Sequence, residues 1–191
     1  MSTARLEAFS DAVIAILMTI MVLELGIPHG TGVEELRPLV PVFVAYALSF
    51  VNLGIYWNNH HHMLSATQRI NGRILWANLH LLFWLSLFPF TTGWMGENDF
   101  APLPTASYGI ASLLAAIAYF ILQSEIKREH GPTSMLAEAV GRDLKGKASP
   151  ILYFIAIPMA FVNTWISLGL YILVAMMWLV PDRRIESVLR T

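Results

Sequence analysis

The sequence predicts an all-α integral membrane bundle, and three observations carry that prediction. Of 191 residues, 56% are hydrophobic and only 13% are charged, against about 25% charged in an ordinary soluble domain. The charges gather in short islands between apolar runs of bilayer-crossing length. Eleven of the twelve basic residues then fall on one side of the predicted topology, with Arg37 alone opposite. The formal net charge of −1 gives no reason to expect nucleic acid as a partner. With no cysteine there is no disulfide, thiolate metal site or redox motif. Glu7 and Asp11 stand where a cleavable signal would carry a basic region, so the N-terminus is expected to stay and form a helix.

A helix rises about 1.5 Å per residue, so about 20 apolar residues cross the hydrocarbon core. Spans are predicted near 4–27, 38–62, 73–95 and 104–127, with a last apolar block over about 149–180. In the first, the polar heptad Arg5-Leu6-Glu7-Ala8-Phe9-Ser10-Asp11 runs without a linker into a long apolar stretch. Ser10-Asp11 could cap a helix beginning at Ala12. That helix would be only about 24 Å long, whereas a start at Thr3 or Ala4 restores a full crossing. Gly26 and Pro28 end the first span, and Pro102 and Pro104 suit the start of the fourth. The polar stretch at 128–147, broken by Gly131-Pro132, reads as a solvated face or a short amphipathic helix.

The last block would be a helix of roughly 46 Å, too long for one crossing. Pro158 and Asn163-Thr164 interrupt it, which suggests two helices near 149–162 and 164–180. Charge supports the division. Arg5, Arg69, Arg73, Lys127, Arg128, Arg142, Lys145, Lys147, Arg183, Arg184 and Arg190 share one side, while Glu34, Glu35, Glu97 and Asp99 lie opposite. Positive-inside bias places both termini in the cytoplasm, which requires an even number of crossings, here six, of a cell membrane. Several of the six tryptophans lie near span ends as interfacial anchors do, whereas Trp84 and Trp165 are expected to pack.

Projected at about 100° per residue, the first helix has two different faces. Ala12, Thr19, Ile20, Leu23 and Ile27 cluster around Ile16, and Phe9 and Arg5 continue the stripe at the cytoplasmic end. Asp11 points roughly 140° away, toward neighbouring helices. By periodicity the stripe fits lipid contact or packing as readily as a pore, and Thr19 could bond back to the carbonyl of Ala15.

Arg5-x-x-x-Phe9-Ser10-Asp11, followed by an aliphatic run ending Val22-Leu23-Glu24-Leu25, resembles the signature of the potassium channel family known as transmembrane protein 175. Tyr56-Trp57-Asn58-Asn59-His60-His61 and Leu87-Phe88-Pro89-Phe90-Thr91 add to the likeness. The resemblance implies a homotetramer whose first helices line a central pore for monovalent cations, with potassium in it and no cofactor. It implies an aliphatic constriction at Ile16, with Thr19, Ile20 and Leu23 also facing the pore. It leaves open whether the aliphatic or the hydroxyl layer selects. Ala12 stands where relatives often carry glycine. Glu24, near the outer mouth, would raise local cation concentration or simply be an exposed helix-end carboxylate.

Asp11, turned away from that pore, needs partners, because an unpaired carboxylate at depth is expensive. The candidates are Arg5 of the same or a neighbouring chain and the histidines His60, His61, His62 and His80. Together with Phe9 and Ser10 they would form a network fixing the tilt of the pore helix. Three consecutive helical histidines point about 100° apart and do not converge on one metal, so no metal site is expected. Two rival functions remain at this level. One is a proton-coupled transporter using Asp11 and histidines, against which stands the lack of an inverted repeat. The other is a haem enzyme bridging His60–His62 to His80. No spacing points to a hydrolase.

Overall fold

A computed structural model of the chain describes residues 2–131 and 144–179. The centre of the 128–147 stretch, Arg142, Val180 and the arginines of the tail lie outside the described residues. Among those described, the secondary structure is helix joined by short turns.

Helix α1 spans Thr3–Ile20 and continues as a 3-10 segment, Met21–Leu25. The polar heptad is therefore helical, as the length argument requires. Gly26 ends the element at φ +66°, a left-handed conformation that glycine adopts freely. A second 3-10 segment, Val33–Leu39, leads into α2, Val40–Ser65, with Pro41 in its first turn, where the missing N–H costs nothing. Helix α3 is Gly72–Leu85, capped by Asn71, whose Oδ1 accepts from the Ile74 N–H at 3.0 Å.

The third predicted span is two helices. After α3 the chain turns at Ser86-Leu87 and resumes as α4, Phe88–Glu97. Pro89 has no N–H to bond back into α3, so the ladder breaks ahead of it. Helix α5, Pro102–His130, begins with its two prolines and stops at Gly131, φ +82°. The last apolar block also divides, into α6, Leu144–Val162, and α7, Thr164–Leu179. The break falls at Asn163, whose Oδ1 accepts from the Trp165 N–H at 3.0 Å and starts α7. Pro158 stays inside α6.

Four stretches are long and apolar enough to cross a membrane: Thr3–Leu25, Val33–Ser65, Gly72–Glu97 taken across its break, and Pro102–His130. Helix α7 is apolar but shorter. The chain is a multi-pass membrane protein.

Helix α5 is the central column, packed by α3, α4, α6 and α7, while α2 packs on α4 and α1 rests on α2 and α3. A line of rings runs through the middle: Tyr56 to Phe88 at 6.3 Å, Phe88 to Tyr108 at 5.6 Å, Tyr108 to Tyr171 at 5.4 Å and Tyr171 to Tyr153 at 6.0 Å. The edge and tilted geometries are those that aromatic quadrupoles favour. Three buried polar pairs join these helices: Asn52 donates to the Tyr108 hydroxyl at 2.7 Å, Ser49 and Thr92 share a bond of 2.6 Å, and Tyr171 donates to the Thr105 carbonyl at 3.0 Å. Trp84 packs as expected. Trp165 does not: it is 69% exposed, with its ring 6.1 Å from that of Phe100.

Gly109 makes the α5–α7 contact possible. A Cβ there would fall on the Tyr171 hydroxyl and stand 3.0 Å from Ile157 Cγ1. Gly109→Ala is therefore expected to push Tyr171 off the Thr105 carbonyl and cost about 1–2 kcal/mol. A thermal melt of the purified protein checks this; an unchanged midpoint would refute the close contact.

Candidate pore helix and the network behind it

Helix α1 has one face inside the bundle and one outside it. Leu6, Ser10, Ile14, Leu17 and Met21 are buried, a repeat of three to four residues. On the opposite side Phe9, Ile16, Ile20 and Leu23 are 48%, 54%, 41% and 77% exposed, and Ala12, Thr19 and Ile27 are exposed with them. This is the stripe expected from the helical projection. Its own chain leaves it uncovered.

Thr19 bonds back, donating its hydroxyl proton to the carbonyls of Ala15 at 3.1 Å and Ile16 at 2.9 Å. With the proton held by the backbone, what the oxygen offers outward is lone pairs. Glu24 is exposed and lies along the neighbouring helix. Its side chain folds over Gly93 of α4, where a carboxylate oxygen would be 3.0 Å from a Cβ.

Behind α1 lies a buried polar chain across three helices. Ser10 donates to the Leu6 carbonyl at 2.9 Å and accepts from Asn78 Nδ2 of α3 at 2.9 Å. Asn78 Oδ1 then faces His60 Nε2 of α2 at 2.7 Å. Because the amide nitrogen is used on Ser10, its oxygen must accept, so His60 carries its proton on Nε2. All three side chains are fully buried, and His60 Nδ1 has no partner among the described residues. The pairing satisfies groups that would otherwise be costly at depth.

A second, half-exposed tier lies beside it. Asp11 accepts from the Trp57 indole N–H at 3.1 Å, and Glu7 pairs with His61 Nδ1 at 2.7 Å. These pairings differ from the sequence expectation. Within the chain Asp11 meets an indole, not Arg5, which makes no ion pair among the described residues. The reason is helical phase: Arg5 lies on the stripe side of α1, and Asp11 turns toward α2. Of the histidines, His60 enters the buried chain and His61 the outer tier. His62 contacts the His61 ring edge-on at 5.6 Å. His80 is exposed and accepts from the Trp84 indole at 2.9 Å, outside the buried chain.

Asn78 is the residue that the sequence expectations missed. It lies two positions before His80 on α3, nearly on the opposite face. The signal was present: Ile74, Asn78, Leu81 and Leu85 form the buried stripe of that helix, with one amide in an apolar row. Trp57 and Glu7 lie within the quoted motifs, whose spacing names no partner for either.

The described residues thus form an all-helical, multi-pass membrane bundle whose first helix carries an exposed apolar face and a polar network behind it. The profile of the family described as "Endosomal/lysosomal potassium channel TMEM175" matches residues 5–89. A potassium channel of Chryseobacterium sp. (strain P1-3) is 51% identical over 190 residues, covering 100% of this chain and 99% of that one. A potassium channel of Chamaesiphon minutus is 29% identical, covering 91% of each. The crystal structure of a lysosomal potassium-selective channel TMEM175 homologue from that organism superposes with a TM-score of 0.81 at 28% identity, covering 94% of this chain and 97% of that one. The chain belongs to the TMEM175 family.

Proposed function

We propose that this protein is a passive, potassium-preferring cation channel and not an enzyme. Four copies assemble in the cell membrane, each with six crossings and both termini cytoplasmic, and the four α1 helices enclose the pore. The observation that carries the reading is the uncovered stripe of α1, Phe9, Ile16, Ile20 and Leu23, opposite a fully packed face. The names of the bacterial relatives and the fold likeness support it.

Ion passage follows from the chemistry of the stripe. A ring of four Ile16 side chains offers no oxygen ligand, so it is a barrier that closes by dewetting when narrow. When wider it admits partly hydrated ions and favours the one that rearranges its water more cheaply. Potassium, larger than sodium, holds water less tightly. One turn outward, a ring of Thr19 hydroxyls presents lone pairs that replace some of the lost water. Selectivity is modest beside that of a carbonyl filter. Leu23 and Ile20 complete an apolar wall.

The test is the bi-ionic reversal potential, potassium against sodium, of purified protein in planar bilayers, with Ile16→Asn alongside. The expected result is a clear potassium preference that shrinks in the variant while conductance rises. Currents indifferent to Ile16→Asn would move the pore off this face. A reversal potential that follows the proton gradient would support the proton-coupled reading.

A further inference from the structure

The outer tier of the network has the composition of a metal site. Glu7 and Asp11 stand one turn apart on α1, and His61 meets them from α2. One ligand atom from each, two carboxylate oxygens and an imidazole nitrogen, all lie within 4.8 Å of one another. Donor atoms on one tetrahedral zinc ion are roughly 3.3 Å apart, given bonds of about 2.0–2.1 Å. Small side-chain rotations close that difference. We propose that Glu7, Asp11 and His61 form a site for a divalent transition-metal ion of the zinc and cobalt class, which ties α1 to α2.

The donor set chooses the metal. Imidazole nitrogen favours zinc, cobalt or nickel over magnesium or calcium, and the chain has no cysteine to draw softer ions. Two carboxylates balance the charge of the ion, and three protein ligands leave a position for water. The groups around the site are those that orient metal ligands. The Trp57 indole holds Asp11 Oδ1 at 3.1 Å, fixing the carboxylate and leaving its second oxygen free. The Trp57 and His61 rings stack at 6.2 Å and 25°, which holds the imidazole toward α1. The His61 side chain is 44% exposed and that of Glu7 22%, so an ion has a way in.

The site uses one histidine of the His60–His62 run, consistent with three neighbours that cannot converge. It lies on the side of α1 away from Ile16, so the ion acts on the helix and not in the ion path. Binding itself is independent of the conduction reading; any effect on current rests on it.

The experiment is titration of full-length protein, purified without a polyhistidine tag, with cobalt chloride, followed by visible absorption and calorimetry. One cobalt per chain is expected, displaced by zinc, with affinity at least tenfold weaker in both His61→Gln and Glu7→Gln. His80→Gln, off the cluster, should bind as the wild type. Every variant is first shown to elute as the wild type on size exclusion, and if one fails there the other carries the test. No saturable cobalt signal in the wild type, or unchanged affinity in a well-folded His61→Gln or Glu7→Gln protein, overturns the site. Neither result alters the reversal-potential measurement above.

Discussion

Gly96→Val is expected to leave little folded protein. A single Cβ at position 96 of α4 would stand 2.7 Å from Val42 Cα and 3.3 Å from both Val42 N and Ala45 Cβ of α2. Carbon atoms pack at about 3.5–4.0 Å, so the two helix backbones must part. A backbone cannot rotate aside as the tip of a side chain can. Overpacking of one methylene costs about 1–3 kcal/mol, and valine adds two more methyls at the same contact, so the loss is expected to reach about 3 kcal/mol or more. Gly169→Ala, where a Cβ meets nothing within 4 Å, is the matched control. It should be neutral or slightly stabilising, because alanine is the better helix former. Yield and melting midpoint in detergent measure both. A Gly96→Val protein that melts with the wild type would mean that α2 and α4 are not in this contact.

Asn78→Leu keeps the size of the side chain and removes its amide. The Nε2–H of His60 then has no acceptor, and both of its ring nitrogens are unpartnered in a fully buried position. The expected cost is about 3 kcal/mol, the upper end of the range for an orphaned buried donor. The asymmetry of hydrogen-bond energetics supplies the sharper test. If all the polar partners go together, as in Ser10→Ala/His60→Phe/Asn78→Leu, no group is left unsatisfied, and much of the lost stability should return. A triple variant less stable than Asn78→Leu would show that the chain contributes by shape and not by pairing.

The apolar runs, the basic asymmetry and the position of each proline make the helices legible without any structure. Hydropathy reports burial in lipid, and Pro102 and Pro104 mark the start of α5 because the first turn does not need their N–H. Proline was harder to interpret at Pro89 and Pro158. Pro89 follows a break that divides the third apolar run, while Pro158 sits inside α6 and the break falls five residues later at Asn163. A proline removes one donor wherever it stands; whether the helix ends there depends on what the neighbouring helices offer, as Asn163 shows by capping α7.

The candidate site divides in the same way. The two faces of α1, with Ile16, Thr19, Ile20 and Leu23 on the open one, follow from helical phase, a property local to the chain. So does the need of Asp11 for a partner, since a carboxylate at depth is costly in any fold. The identity of the partner is not local. Trp57 for Asp11, Asn78 for Ser10 and His60, His61 for Glu7, and α4 beneath Glu24 depend on which faces of α2, α3 and α4 meet α1. Those faces are chosen by the packing of the whole bundle, where Gly96 and Gly109 permit approaches no larger residue would. A membrane helix bundle with a two-faced first helix follows from the residues alone, because length, hydropathy and phase act over a few residues at a time. Which polar groups meet behind that helix is settled by packing, because the partners stand on different helices, 18 positions apart for His60 and Asn78, 46 for Asp11 and Trp57 and 68 for Ser10 and Asn78.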